Sequence, residues 1–234
     1  MSLNASNVDN PVLLAVGAIT GALLGPAMAA TSIAVPAGHW PWQEKPAWVL
    51  GEPATARRRG LMTLAGSAVL GSLAGVIGWR PALLAFLVMG IIGSTLAVID
   101  LEHHRLPDRL VAVGAIGSMA LLTVDASVTG SWSSLTRGML CAAVAFVVFF
   151  GMALITPRGM GFGDVKVAAL LSLHTGWLSW ELAGIALLAG FVVGALTSLA
   201  LVVARRVTLQ TAIPFGPALL LGSWLVVIAT PTAG

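Results

Sequence analysis

Asp100 and Asp164 are the residues whose setting asks for a chemical explanation. Asp164 lies in the stretch GMGFGDVK, residues 159–166, behind Gly159, Gly161 and Gly163 and ahead of an apolar run from Val165 to Leu173. Asp100 lies in VIDLEHHRLPDRL, residues 98–110, at the end of another apolar run. Seven ionisable groups crowd the ten residues from Asp100 to Arg109. Glycine tolerates positive φ and close approach, so 159–164 reads as a tight loop that delivers a carboxylate to a helix start. An acid at a helix C-terminus opposes the macrodipole, so capping is a poor account of Asp100. Acids at the edge of hydrocarbon are costly and are functional residues by default. Two carboxylates brought together cannot readily both ionise, and a shared proton equips the pair to activate water and protonate a leaving nitrogen. The chemistry expected is peptide hydrolysis through a noncovalent tetrahedral intermediate. Acid and base roles are not separable at this stage, because a coupled pair titrates as a unit.

The neighbours have plainer readings. Asp108 follows Pro107 at the start of an apolar run and is expected to cap that helix. Lys166, two residues after Asp164, either steadies that carboxylate or snorkels to lipid phosphate. Glu102, His103 and His104 invite a metal reading, but adjacent histidines on an exposed loop lack fixed geometry, and no metal site is expected. His174 lies about ten residues into its helix, roughly 15 Å from Asp164 along the axis, and is expected to hydrogen-bond inside the bundle. Pro214, Phe215, Gly216 and Pro217 interrupt the start of the last apolar run. Irregular backbone at membrane depth needs shelter from protein or a water-filled cavity, so this segment is expected to line the active-site cavity and receive substrate backbone beside Asp164. The plainer alternative is a helix start with proline near N1. Cys141, the only cysteine, lies in an apolar run and is read as packing; one chain can build neither a disulfide framework nor a cysteine zinc site from it.

These residues must be positioned by membrane helices. Of 234 residues, 58% are hydrophobic and 9% charged, and mean hydropathy is +0.97; soluble domains carry about 25% charged residues. The class expected is an all-α polytopic membrane helix bundle of about eight transmembrane helices, forming one domain over 1–234 with no room for a sizeable soluble unit. Spans read as 11–35, 60–78, 82–100, 110–124, 138–156, 165–180, 183–204 and 213–230. The pI near 10.0 comes from 12 basic residues with no long basic tract, so nucleic acid is not expected as a partner. Ala27-Met28-Ala29 has the look of a signal-peptidase site, but no Lys or Arg precedes it, and a retained first span is expected. The connection 36–59 carries four prolines, three tryptophans and then Arg57-Arg58-Arg59. The prolines are expected to keep it irregular, the tryptophans to anchor it at the interface, and the arginines to place it in the cytoplasm. Strict alternation then puts 10 of the 12 basic residues on the cytoplasmic side, leaving Arg80 and Arg137 outside.

The pairing of D-x-E-H-H-R-L-P-D (100–108) with G-F-G-D-V-K (161–166), followed by I-P-F-G-P-A-L (213–219), closely resembles the type IV prepilin peptidases. The resemblance covers roughly residues 60–225. It implies a polytopic aspartic protease of the inner membrane with Asp100 and Asp164 as the catalytic pair. Gly161, Gly163, Lys166, Pro107, Asp108 and Pro214 to Pro217 become auxiliary or substrate-binding residues. It further implies prepilin or type II secretion pseudopilin substrates with a short basic leader, cut on the cytoplasmic side after a glycine and before a hydrophobic helix. Longer members often carry two CxxC pairs in the first cytoplasmic loop, and many methylate the new N-terminus with S-adenosylmethionine. This chain lacks those cysteines, so zinc is not expected, proteolysis requires no cofactor, and S-adenosylmethionine enters only with a methyltransferase activity. Two rivals stand beside this reading. One is another GxGD intramembrane protease; the other is a proton-coupled transporter using the aspartates as a relay, against which both acids lie at one face and no inverted repeat is visible.

Overall fold

The computed structural model describes residues 11–44, 46–155, 160–206 and 214–229. These form helices and connections with no strand among the described residues. Eight long helices follow the expected spans: α1 (Pro11–Ala34), α3 (Ala56–Ile77), α4 (Ala82–His103), α5 (Asp108–Thr129), α6 (Trp132–Ile155), α7 (Phe162–Leu178), α8 (Trp180–Val203) and α9 (Gly216–Ala229). The connection after α1 is less irregular than its prolines suggest. It holds a short α2 (Pro41–Glu44) and a 3-10 turn (Pro46–Leu50), with Trp40 stacked on Trp42 at 4.8 Å and Trp48 edge-on to Trp42.

Six of the long helices have the length and hydropathy to cross a membrane; α7 and α9 are shorter, with 17 and 14 residues. At 1.5 Å per residue they reach about 26 and 21 Å, against a hydrocarbon core of about 30 Å. Both short helices begin at the end of the bundle that carries the aspartates.

Local chemistry sets the boundaries. Thr55 caps α3 by accepting the Arg58 N–H, and Ser179 caps α8 by accepting the Leu182 N–H at 3.0 Å. α6 begins six residues earlier than its apolar run, and Arg137 in its second turn is accommodated by donating to the Gly176, Trp177 and Leu178 carbonyls at the end of α7. α4 continues three residues past Asp100 and is closed by His104, left-handed at φ 52°, whose N–H returns to the Asp100 carbonyl at 2.9 Å.

α1 lies along α3 with backbones in contact: a methyl at Gly21 would overlap the Gly66 carbonyl. α4 and α7 occupy the centre. α4 packs on α1, α3, α5 and α9, and α7 packs on α5, α6, α8 and α9. Leu96 and Ile99 of α4, Val165 and Val167 of α7 and Leu219 of α9 are wholly buried. Cys141 is buried against Gly176, where a methyl would come 2.6 Å from its Cβ, so it serves packing.

Polar ties define the two ends. At one, Arg58 donates to Glu102 at 2.8 Å and to Ser32 at 3.0 Å, Arg105 donates to the Pro36 carbonyl at 3.1 Å, and Arg109 donates to the Gly38 carbonyl at 3.2 Å. At the other, buried Asp125 accepts the first amide of α4, Ala82 N–H, at 2.8 Å, near the Arg137 cluster. The alternation expected from charge therefore groups these described residues as found. Lys45 and Arg158 lie outside the described residues, as do Gly159 and Ile213 of the two irregular motifs.

Candidate active site

The last turn of α4, the first turns of α7 and α9, and the 104–107 link meet at one point. Asp100, 4% exposed, accepts the Gly216 N–H through Oδ2 at 3.1 Å. A carboxylate on α4 thus satisfies an otherwise orphan amide at the start of α9 and faces its positive dipole end. Asp164, 8% exposed, is the third residue of α7 and reaches back to accept the Gly161 N–H through Oδ2 at 3.2 Å, the carboxylate half of a capping box. Each aspartate therefore anchors the opening turn of a short helix, and Asp100 lies within electrostatic reach of Asp164.

The glycines serve close approach. Gly161 is extended (φ −77°), and neither Gly161, Gly163 nor Gly216 adopts positive φ, so of the two uses of glycine in the 159–164 loop it is close approach that these residues show. A methyl at Gly163 would lie 2.9 Å from Leu106 Cβ, and one at Gly216 would lie 2.8 Å from Asp100 Oδ2 and 3.2 Å from Leu106 Cδ1. Leu106, buried, wedges between the starts of α7 and α9, next to the backbone neighbours of both aspartates. Sequence reasoning passed over it. The available signal was a single large apolar residue inside an otherwise charged link.

Asp108 does not cap α5 with its side chain. Pro107, with its fixed φ and extended ψ of 123°, takes the cap position, and Asp108 becomes the first helical residue. Its carboxylate, 75% exposed, pairs with Lys166 Nζ at 2.6 Å, and the same ammonium sits 4.4 Å from the Phe162 ring centre. Lys166 is thus bound to Asp108 and not to Asp164.

The 214–217 segment divides between irregular backbone and the plainer reading, a helix start. Pro214 and Phe215 are non-helical, and Phe215 is held 5.0 Å from Phe191 of α8. Gly216 and Pro217 open α9 as an ordinary helix start, and Gly216 meets Asp100, not Asp164 as expected. Pro217 lines a cavity of about 370 Å³ between α3, α4, α7 and α9. His174, also on that cavity, bonds inside its own helix, Nδ1 to the Leu170 carbonyl at 2.8 Å, and meets Phe86 edge-on. Glu102 is paired with Arg58, and His103 lies 4.0 Å from it.

Among known families, residues 87–199 match the one described as the type IV leader peptidase family, a stretch that contains both aspartates. That segment is similar to the type IV leader peptidase domains. Relatives named prepilin leader peptidase/N-methyltransferase extend the likeness. The one from Pseudomonas putida is 32% identical over 162 residues, covering 65% of this chain and 54% of its own. The one from Pseudomonas aeruginosa is 29% identical over 182 residues, covering 75% and 59%. The one from Aeromonas hydrophila is 30% identical over 156 residues, covering 64% and 50%. The match thus spans only about half to three fifths of these relatives. No solved structure matches. The leader peptidase domain as matched stops before α9, which nevertheless supplies the Gly216 amide to Asp100.

Proposed function

We propose that this chain is a membrane aspartic endopeptidase that removes the leader from type IV prepilins or type II secretion pseudopilins, cutting after a glycine at the cytoplasmic end of the bundle. The observation that carries the reading is the convergence of buried Asp100 and Asp164, from separate helices, each oriented by a backbone N–H of a short helix start. One carboxylate takes a proton from water as the oxygen adds to the scissile carbonyl carbon. The other, protonated, donates to the carbonyl oxygen, and the tetrahedral intermediate collapses as a proton reaches the leaving nitrogen. Anchoring through Oδ2 orients both groups for these proton transfers. Methyl transfer, which the relatives' names include, is a separate assignment and would require S-adenosylmethionine. The excess of Lys and Arg at the aspartate end supports a cytoplasmic orientation in a bacterial plasma membrane.

Co-expression with a prepilin bearing a Lys/Arg-rich leader ending in Gly-Phe tests this, with mature N-termini read by mass spectrometry. Wild type and Asp108→Asn cut after the glycine. Asp100→Asn and Asp164→Asn each lose about a hundredfold or more, the scale of general acid–base catalysis. Equal processing by all four would sink the peptidase reading and favour the proton relay.

A further inference from the structure

The link from α4 to α5 runs over residues 104–107, and Leu106 is its one buried member; His104 and Arg105 are exposed and Pro107 is half-buried. The residues around it are tied down on the outside. The His104 N–H returns to the Asp100 carbonyl at 2.9 Å, the Arg105 guanidinium donates to the Pro36 carbonyl at 3.1 Å, and the Arg109 guanidinium donates to the Gly38 carbonyl at 3.2 Å. These bonds hold the link against the bundle with the Leu106 side chain turned inward.

What that side chain fills is the gap between two helix starts. A methyl built on Gly163, the residue before Asp164, would meet Leu106 Cβ at 2.9 Å, Cδ1 at 3.2 Å and Cγ at 3.4 Å. One built on Gly216, whose N–H holds Asp100, would meet Leu106 Cδ1 at 3.2 Å and Cδ2 at 3.3 Å. The same carbon, Cδ1, therefore faces the starts of both α7 and α9. Glycine at each start supplies no side chain of its own, so the leucine sets how near the two backbones come.

We infer that Leu106 is a positioning residue that sets the spacing of the two aspartates by acting on the starts of α7 and α9. This rests on the peptidase reading above. Asp164 is fixed to the first turn of α7 through the Gly161 N–H, and Asp100 is fixed to the first turn of α9 through the Gly216 N–H. A change in the gap between those turns is thus a change in the gap between the carboxylates. That separation matters to the chemistry: brought closer, the two charges oppose each other more strongly, and moved apart, one water no longer reaches both. Trimming the leucine leaves a void that close-packed surroundings partly close by moving its walls, and here the walls are the two helix starts.

The test uses the full chain with a prepilin substrate and reads kcat and KM per folded molecule. Leu106→Ala is expected to lower kcat about a hundredfold, the effect of an ångström-scale misplacement, with KM little changed. Leu106→Met, close to leucine in volume, restores kcat to near wild type. Val111→Ala trims another buried residue of the same core and should lower the melting temperature without that loss of kcat. Full kcat in Leu106→Ala, a loss that Leu106→Met shares, or an equal loss in Val111→Ala overturns the proposal. If Leu106→Ala does not extract as a folded species, Leu106→Val carries the same comparisons in the same direction. A second measurement does not depend on cleavage. In a Cys141→Ala background, spin labels on cysteines at Phe162 and Leu221, exposed residues of α7 and α9, report the distance between those helices. Leu106→Ala should shorten or broaden the distance distribution, and a distribution that superimposes on the parent overturns the proposal. If wild type cuts no prepilin, the peptidase reading falls on that result and the spin-label distance decides by itself whether Leu106 spaces the two helix starts.

Discussion

At Gly216 the effect of one methyl group is set by where it would point. A Cβ there would meet Asp100 Oδ2 at 2.8 Å, too close for the hydrogen bond that orients the carboxylate to survive. Gly216→Ala is therefore expected to lower cleavage by about a hundredfold, the effect of an ångström-scale misplacement of a reacting group, while the protein still extracts as a folded species. Wild-type cleavage by this variant would show that the Gly216 contact does not position Asp100. The Lys166–Asp108 pair makes the opposite case. Its carboxylate is three-quarters exposed and the pair lies off the two aspartates. A double-mutant cycle of Lys166→Met and Asp108→Asn should give a coupling of about 1 kcal/mol or less, with cleavage largely retained. A much larger coupling, or loss of cleavage in the lysine variant alone, would return Lys166 to the site.

At the level of elements, the helix ends far from the aspartates carry polar contacts of their own, separate from the site. Arg137 is half-buried and satisfies three carbonyls at the end of α7. Arg137→Met leaves those groups without a partner and should cost about 3 kcal/mol, seen as a lower melting temperature in detergent. Cleavage per folded molecule should change far less, because the site lies at the other end of α7. Asp125→Ala removes the acceptor for the first amide of α4 and should cost about 1–2 kcal/mol by the same assay. These costs follow from helix ends enclosed in protein, where water does not take the place of a missing partner. α7 and α9 differ from the other long helices for a related reason. Their starts are placed at the aspartates, so their first amides are taken by Asp164 and Asp100 and their lengths within the described residues fall short of a full crossing.

For the whole molecule, the polar ties sort the connections into two ends, and this grouping is open to direct test. In a Cys141→Ala background, single cysteines at Gly38, Arg105 and Lys166 should be labelled from one side of the membrane, and cysteines at Arg80 and Trp132 from the other. Labelling of positions 38 and 80 from the same side would overturn the topology. The eight long helices and that alternation were legible in the sequence, because hydropathy over a run of residues and charge at its flanks are local quantities. Asp100 and Asp164 were legible for a similar reason: an acid at the edge of an apolar run stands out whatever it touches. The partners of those acids were not legible. Gly216 lies 116 residues from Asp100, and Lys166 lies 58 from Asp108. The wedge of Leu106, the Asp125 cap on α4 and the cavity lined from four helices likewise arise only when helices pack against one another. Residue types along the chain determined which segments enter the membrane and where charge would be costly. Packing decided which backbone amide each carboxylate holds and where a cavity remains, because those depend on distances between helices that no local pattern encodes.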